Sequence, residues 1–250
     1  MIENQNTIVV IPARMASRRL PGKPLADLNG LPMIVHVWNR AIEAKIGRVL
    51  VAAADLPIVN AVRAHGGDAI MTDPQLASGT DRVAAALDIR DPHGNFAYVV
   101  NLQGDLPTIQ PLDVQRCLAG LGNEAVDIST IAARITDAAD VANPNIVKAI
   151  APLSDEREVA FARDFLRRPG PELGPVFWHH IGVYAYRRSA LERFVKLSVS
   201  ANEEERQLEQ MRALDNGMKI AVVRVDSLPL GVDTPADLEA ARLMLKAGRF

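Results

Sequence analysis

The sequence predicts an α/β fold built on a mainly parallel sheet, and three observations carry that expectation. Short apolar, β-branched runs recur along the chain. Amphipathic helical patterns fall between them. The runs lack strict in/out alternation, so their strands are expected to be covered on both faces, as parallel strands are. At 250 residues the chain can bury one substantial core.

Taken in order, TIVVI (Thr7 to Ile11) is the first strand and Met33 to Ala44 the first helix. RVLVAAA (Arg48 to Ala54) leads to helical periodicity over Pro57 to His65 and then over Asp81 to Ile89. YVVNLQ (Tyr98 to Gln103) leads to another such pattern over Leu112 to Leu121. The middle of the chain breaks this rhythm. Strand-like segments at Ala132 to Arg134, Ile146 to Pro152 and His179 to Arg188 are interrupted by a proline-containing stretch, FLRRPGPELGP, and Arg188 to Leu214 is expected to be helical. This region reads as an insertion or flanking sheet. KIAVVRV (Lys219 to Val225) restores the strand pattern. The tail DTPADLEAARLMLKAG is the clearest helix: Thr234 can cap it, Pro235 suits its first position, Asp237 sits where a capping box needs it, and Gly248 can end it.

Twenty-eight lysines and arginines against 30 aspartates and glutamates give a formal net charge of -2. That balance lacks the long-range positive field with which proteins attract nucleic acid. The apolar run at Ile8 to Ile11 is too short for a signal peptide or a membrane span, so neither nucleic acid nor membrane is an expected partner. The single cysteine, Cys117, excludes an internal disulfide, which suits a reducing cytoplasm, and its setting in DVQRCLAGL reads as helix packing.

Against that neutral background, IPARMASRRLPGKPL places Arg14, Arg18, Arg19 and Lys23 around Pro21-Gly22 just after the first strand. Open α/β sheets bind ligands at the carboxyl ends of their strands, and a glycine lets backbone come close to a ligand. The cluster therefore reads as an anion site, with phosphate the obvious anion. It is not a Walker sequence, and no G-x-G-x-x-G follows the strand, which argues against a dinucleotide cofactor. Two further strand ends carry carboxylates: Asp105 in NLQGDLPTI and Asp233 in PLGVDTP. Facing the same crevice, they suit Mg²⁺, which takes oxygen ligands and keeps several waters. Singly, Asp105 also reads as a turn former and Asp233 as an Asx-turn residue. In ASGTDR, Ser78, Gly79 and Thr80 can offer donors to a base or ribose, with Asp81 answering the positive helix end; the same residues also suit a plain N-cap.

Together, IPARMASRRLPGKPL, ASGTDR, NLQGDLPTI, HHIGVYAYRR, LEQMRAL and PLGVDTPADLE resemble the ordered motifs of the 3-deoxy-D-manno-octulosonate (Kdo) cytidylyltransferases, or CMP-Kdo synthetases, from about Ile8 to Leu245. The resemblance implies a Rossmann-like nucleotidyltransferase fold: a mainly parallel mixed sheet, helices on both faces and a smaller inserted sheet. It implies one domain over 1–250 with an acceptor and dimerisation subregion at about 130–215. It further implies a cytoplasmic homodimer that uses Mg²⁺ to transfer CMP from CTP to Kdo, releasing pyrophosphate, for lipopolysaccharide assembly. Residue by residue, Arg14, Arg19 and Lys23 match the triphosphate loop, with Arg14 and Lys23 counted among the catalytic groups. Ser78 and Gly79 match the nucleotide-contacting turn, Gln103 lies near nucleotide and sugar, and Asp105 and Asp233 match the catalytic, metal-binding carboxylates. The acceptor matches are Arg163, His180, Tyr184, Glu209 and Gln210. On its own residues, His180 also reads as a packed strand histidine, with no Ser/His/Asp order or zinc set beside it.

Three positions depart from the family pattern. GDLP at Gly104 to Pro107 replaces the frequent GDEP, Ala162 stands where a hydroxyl is usual, and Arg206 stands where a glutamate is usual. Arg206 can help bind an acid or neutralise Glu203 to Glu205. The changes on the acceptor side keep two alternatives open: a cytidylyltransferase for another sugar acid, such as an amino-substituted Kdo, and a catalytically silent nucleotide-binding regulator.

Overall fold

The computed structural model describes residues 2–17, 19–170 and 176–248. Arg18 of the cation loop and the end of the proline-containing stretch, 171–175, lie outside the described residues. The chain divides into two compact units, Met1–Gln115 with Pro229–Phe250, and Arg116–Leu228.

In the first unit, β1 (Thr7–Ala13) is buried at all seven positions, as a strand without in/out alternation requires. A short antiparallel hairpin, β2 (Asp27–Leu28) and β3 (Leu31–Pro32), leads into α1 (Met33–Glu43), which turns Met33, Ile34, Val37 and Ala41 inward. Then come β4 (Arg48–Ala53), α2 (Leu56–Ala64), β5 (Ala69–Met71), α3 (Gly79–Arg90), β6 (Tyr98–Asn101) and the first half of α4 (Pro111–Ala119), whose last residues are counted in the second unit. β1 pairs in parallel with β4 and β6, and β4 in parallel with β5. Both β1 and β6 thus run the same way, and the segments leaving them emerge on the same side.

The second unit is mostly antiparallel. It contains β7 (Ile128–Arg134), α5 (Ala138–Ala142), β8 (Lys148–Ile150), β9 (Val159–Phe161), β10 (Asp164–Leu166) and β11 (Trp178–Arg187). After them come α6 (Arg188–Phe194), α7 (Ala201–Arg206), α8 (Gln210–Asp215) and β12 (Ile220–Val225). β7 runs parallel to β12 but antiparallel to β11; β12 meets β9, and β8 meets β10 and β11, in antiparallel pairs. Lys148 on β8 is fully buried, its ammonium donating to the carbonyls of Asn143, Ile146 and Arg167 at 2.7, 2.9 and 2.9 Å.

The segment expected to be helical, Arg188 to Leu214, is helical in three short pieces, α6, α7 and α8. α7 is started by a capping box between Ser200 and Glu203 and stopped by Gln207 in the left-handed region, with φ 54°. Arg167 locks that break by donating Nε to the carbonyl of Arg206 at 3.0 Å and Nη2 to that of Gln207 at 3.1 Å. Periodicity alone missed the stops because the apolar spacing continues across them.

The final helix, α9 (Pro235–Lys246), belongs to the first unit. Its N-terminus forms as the sequence predicts: Thr234 Oγ1 accepts from Asp237 N, and the Asp237 carboxylate accepts from Thr234 N. Leu238 and Ala241 are buried with Leu28, Met33 and Val232, and Leu245 packs against that cluster. Among the described residues, no helix is long and apolar enough to cross a membrane.

Candidate functional site

The cation loop is shaped by backbone contacts rather than by its charges. Met15 N donates to Asp55 Oδ2 at 2.8 Å, and Gly22 N donates to Met15 O at 3.4 Å. Gly22 has φ +71°, a conformation that favours glycine, and it hands the chain to a single helical turn that begins with Lys23. After β6 the chain runs against the end of β1. A β-carbon at Gly104 would lie 2.9 Å from the carbonyl of Pro12, so only glycine permits this approach. Val232 N donates to Asp105 O at 2.9 Å and ties the Asp233 segment to the Asp105 turn. The capping box adds a further restraint, because Asp237 Oδ2 also accepts from Asp233 N at 3.0 Å. Burial raises the Asp237 carboxyl, but bonds from Thr234 and the backbone outweigh that and hold it below the usual range.

These constraints bring the two carboxylates to one cation. Lys23 Nζ donates to Asp105 Oδ2 at 2.8 Å and to Asp233 Oδ1 at 3.0 Å, while Arg19 Nη2 pairs with Asp233 Oδ2 at 2.8 Å. Burial works to lower the Lys23 pKa, yet Asp105 and then Asp233 overcome it and raise it, so the ammonium stays charged. Among the described residues no three His, Cys, Asp or Glu gather into a metal site. A hard divalent cation on Asp105 and Asp233 therefore has to complete its shell with water and ligand oxygens, the usual habit of Mg²⁺. The donor set fits that ion: two carboxylates already converge on a positive charge.

Around this centre lies a cavity of about 820 Å³. Every nucleotide or metal residue expected from the first unit lines it: Arg14, Arg19, Lys23, Ser78, Gly79, Gln103, Asp105 and Asp233. Ser78 lines it while also capping α3, exchanging hydrogen bonds with Asp81. Thr80 is not among the lining residues and is only 2% exposed. Gln103 Nε2 donates to the buried Asn101 Oδ1 at 3.0 Å, which fixes its amide.

One charged lining residue, Arg82, was missed. Arg82 is buried, donates Nη1 to Thr72 Oγ1 at 2.6 Å and to the Asp73 carbonyl at 2.9 Å, and has a buried Nη2 without a partner among the described residues. Burial, then the like charge of Arg14, lowers its pKa. The only signal was an arginine on the inward side of a predicted helix.

In the second unit, β11 slips register between Ile181 and Tyr184, a bulge that changes the aim of its side chains. The rings of His180 and Tyr184 come within 5.5 Å, and Phe165 meets His180 edge-on at 4.9 Å. Thr130 Oγ1 lies 2.9 Å from His180 Nε2, 2.8 Å from Val183 O and 3.3 Å from Ile181 O. Carbonyls only accept, so the hydroxyl proton goes to one of them and His180 Nε2–H donates to Thr130, leaving Nδ1 as an acceptor. Burial, with a smaller contribution from His179, pushes the His180 pKa down to about 3, so the ring is neutral. Burial, then the charge of Glu209, raises the Tyr184 pKa. Gln210 is buried, with Nε2 lacking a partner among the described residues. His180, Tyr184 and Glu209 are thus neighbours. Arg163 lies exposed between β9 and β10, and no hydrogen bond or ion pair among the described residues joins it to them.

Among the described residues Arg206 makes its ion pair with β10 rather than with Glu203 to Glu205. Its guanidinium pairs with Asp164 and donates to the carbonyl of Phe165, joining α7 to β10. Ala162 serves through its backbone, donating N to the carbonyl of Ile220 at 2.8 Å.

A cavity at parallel strand ends, with a cation loop and paired carboxylates, defines a nucleotidyltransferase of the Rossmann-like kind. A cytidylyltransferase family model matches residues 8–220. The 3-deoxy-manno-octulosonate cytidylyltransferases of Paramagnetospirillum magneticum and Rhizobium meliloti are 51% and 52% identical to this chain. They align over 96% and 98% of it, and over 98% of each relative. This chain belongs to the 3-deoxy-manno-octulosonate cytidylyltransferase family. A solved CMP:2-keto-3-deoxy-manno-octonic acid synthetase complexed with CTP superposes with TM-score 0.87 at 38% identity, over 98% of this chain and 100% of that one. A more distant protein from Mycobacterium sp. strain JC1, at TM-score 0.62 and 19% identity, shares the fold alone.

Proposed function

We propose that this enzyme transfers CMP from CTP to Kdo, yielding CMP-Kdo and pyrophosphate for lipopolysaccharide assembly, with Mg²⁺ held by Asp105 and Asp233. The observation that carries the reading is the convergence of Asp105 and Asp233 on one cation beside the loop of Arg14, Arg19 and Lys23. The anomeric C2 hydroxyl of the sugar loses its proton to solvent as its oxygen forms the new bond to the α-phosphorus of CTP, the bond to the β-phosphate bridging oxygen breaks, and pyrophosphate leaves. When bound, Mg²⁺ supplies charge neutralisation and lowers the effective pKa of a hydroxyl close to it. Arg14, Arg19 and Lys23 bind the phosphates and stabilise the charge that gathers on the departing pyrophosphate. Ser78, Gly79 and Gln103 hold the nucleoside. Arg163 pairs with the sugar carboxylate as a guanidinium fork. His180, Tyr184, Glu209 and Gln210, with Gln103, orient the sugar. His180 is not the general base: its low pKa and committed Nε2 leave Nδ1 to accept one sugar hydroxyl proton in a hydrogen bond. The working form is a homodimer, which sedimentation at twice the monomer mass tests.

The decisive assay is pyrophosphate release from CTP and Mg²⁺ with Kdo, with UTP and N-acetylneuraminate as controls. Release only with CTP and Kdo is expected; equal release with N-acetylneuraminate would overturn the acceptor assignment. Asp233→Ala is expected to lower kcat by at least ~10²-fold, the scale of a major lost electrostatic element. An unchanged kcat would remove Asp233 from the chemistry.

A further inference from the structure

Lys23 is placed for two different tasks. In the cavity its ammonium does not reach outward for an anion. It bridges Asp105 Oδ2 and Asp233 Oδ1, the two groups assigned above to the divalent cation. Its side chain is only 15% exposed, whereas Arg19 on Asp233 is 63% exposed, so Lys23 makes the inner contact. We infer that Lys23 Nζ is a stand-in for the metal: it holds the two carboxylates together in the nucleotide-free enzyme and gives them up when the triphosphate draws the ammonium away. This rests on the metal assignment made under the proposed function and adds to it an order of events.

The physical reasons are local. Two carboxylates brought together by the Asp105–Val232 backbone bond and the Asp237 cap repel unless a cation lies between them. Lysine suits a temporary cation better than arginine, because a compact charge on a flexible stem can move between partners while a planar fork is bound to one geometry. An ammonium already on both oxygens opposes a divalent ion arriving alone. A nucleotide phosphate offers the ammonium another anion and brings ligand oxygens of its own, so metal and nucleotide each tighten the other's binding. The device keeps the free enzyme from filling its metal seat without substrate.

Mn²⁺ binding to the nucleotide-free enzyme, followed by electron paramagnetic resonance, tests this. Lys23→Met removes the charge and keeps much of the bulk; it should bind Mn²⁺ at least about tenfold more tightly than wild type, as expected when a like charge leaves a partly buried site. Lys23→Arg keeps the charge and should stay near wild type. Equal Mn²⁺ affinity in wild type and Lys23→Met, both weakened by Asp105→Asn, would overturn the stand-in while leaving the metal assignment intact. If Asp105→Asn and Asp233→Asn left Mn²⁺ binding unchanged even with CTP present, the metal assignment itself would fall, and this inference with it. A wild-type measurement guards against a misfolded variant. Amine acetylation at Lys23, read by mass spectrometry, should accelerate as Mn²⁺ alone saturates the enzyme and displaces the ammonium. No acceleration at saturation would overturn the proposal.

Discussion

His180, Glu203 and Arg212 show how single buried groups answer to their partners. His180 is neutral in the folded chain, with a pKa pushed down to about 3, and titrates near 6.5 once unfolded. Between those values the unfolded state binds more protons, so stability falls as pH drops through 6.5 toward 3. Unfolding midpoints in urea at pH 7.5 and 5 should show wild type losing about 1–2 kcal/mol more than His180→Gln over that range. Glu203 and Arg212 form a buried pair, with Arg212 Nε and Nη2 on the two carboxylate oxygens at 2.7 and 2.6 Å. Glu203→Ala removes the carboxylate from a buried guanidinium and should cost about 3–5 kcal/mol, measured by denaturant titration; replacing both residues with apolar side chains should recover most of it. Neither partnership was readable in the sequence. Glu203 and Arg212 lie nine residues apart across the break at Gln207, and Thr130 lies 50 residues before His180.

At the level of elements, the start of α9 links stability to chemistry. Thr234 was legible as a cap because S/T-x-x-D followed by an apolar face is a local pattern, and its bonds form within four residues. Thr234→Ala should cost about 1 kcal/mol in denaturant titrations. Because Asp237 also holds Asp233 N, the same substitution should reduce kcat more than Ser200→Ala, which removes a like cap from α7. Equal effects on kcat would show that the cap does not position Asp233. The break between α7 and α8 was illegible because its stop is held by Arg167, more than thirty residues upstream. The β11 bulge was illegible for a related reason. Alternation shows that a strand exists, while register depends on the partner strand.

At the scale of the whole molecule, ligand binding and folding are one equilibrium. With Mg²⁺ and CTP at about 100 times its Kd, the enzyme should gain ~2.7 kcal/mol against unfolding, seen as a raised urea midpoint. Lys23→Met should lose most of that gain if the lysine binds the triphosphate. By itself the sequence determined the βαβ order, the cation loop, the positions of Asp105 and Asp233 and the cap of α9, because strand periodicity, strand-end placement and capping are local. Its ordered motifs also indicated the family. Only the tertiary structure decided that Lys23 lies on both carboxylates, that Arg82 lines the cavity, that Arg206 joins Asp164, and that His180 presents Nδ1 as an acceptor. Each depends on which distant segments the backbone brings within hydrogen-bond range, and side-chain charge or spacing along the chain carries no record of that distance.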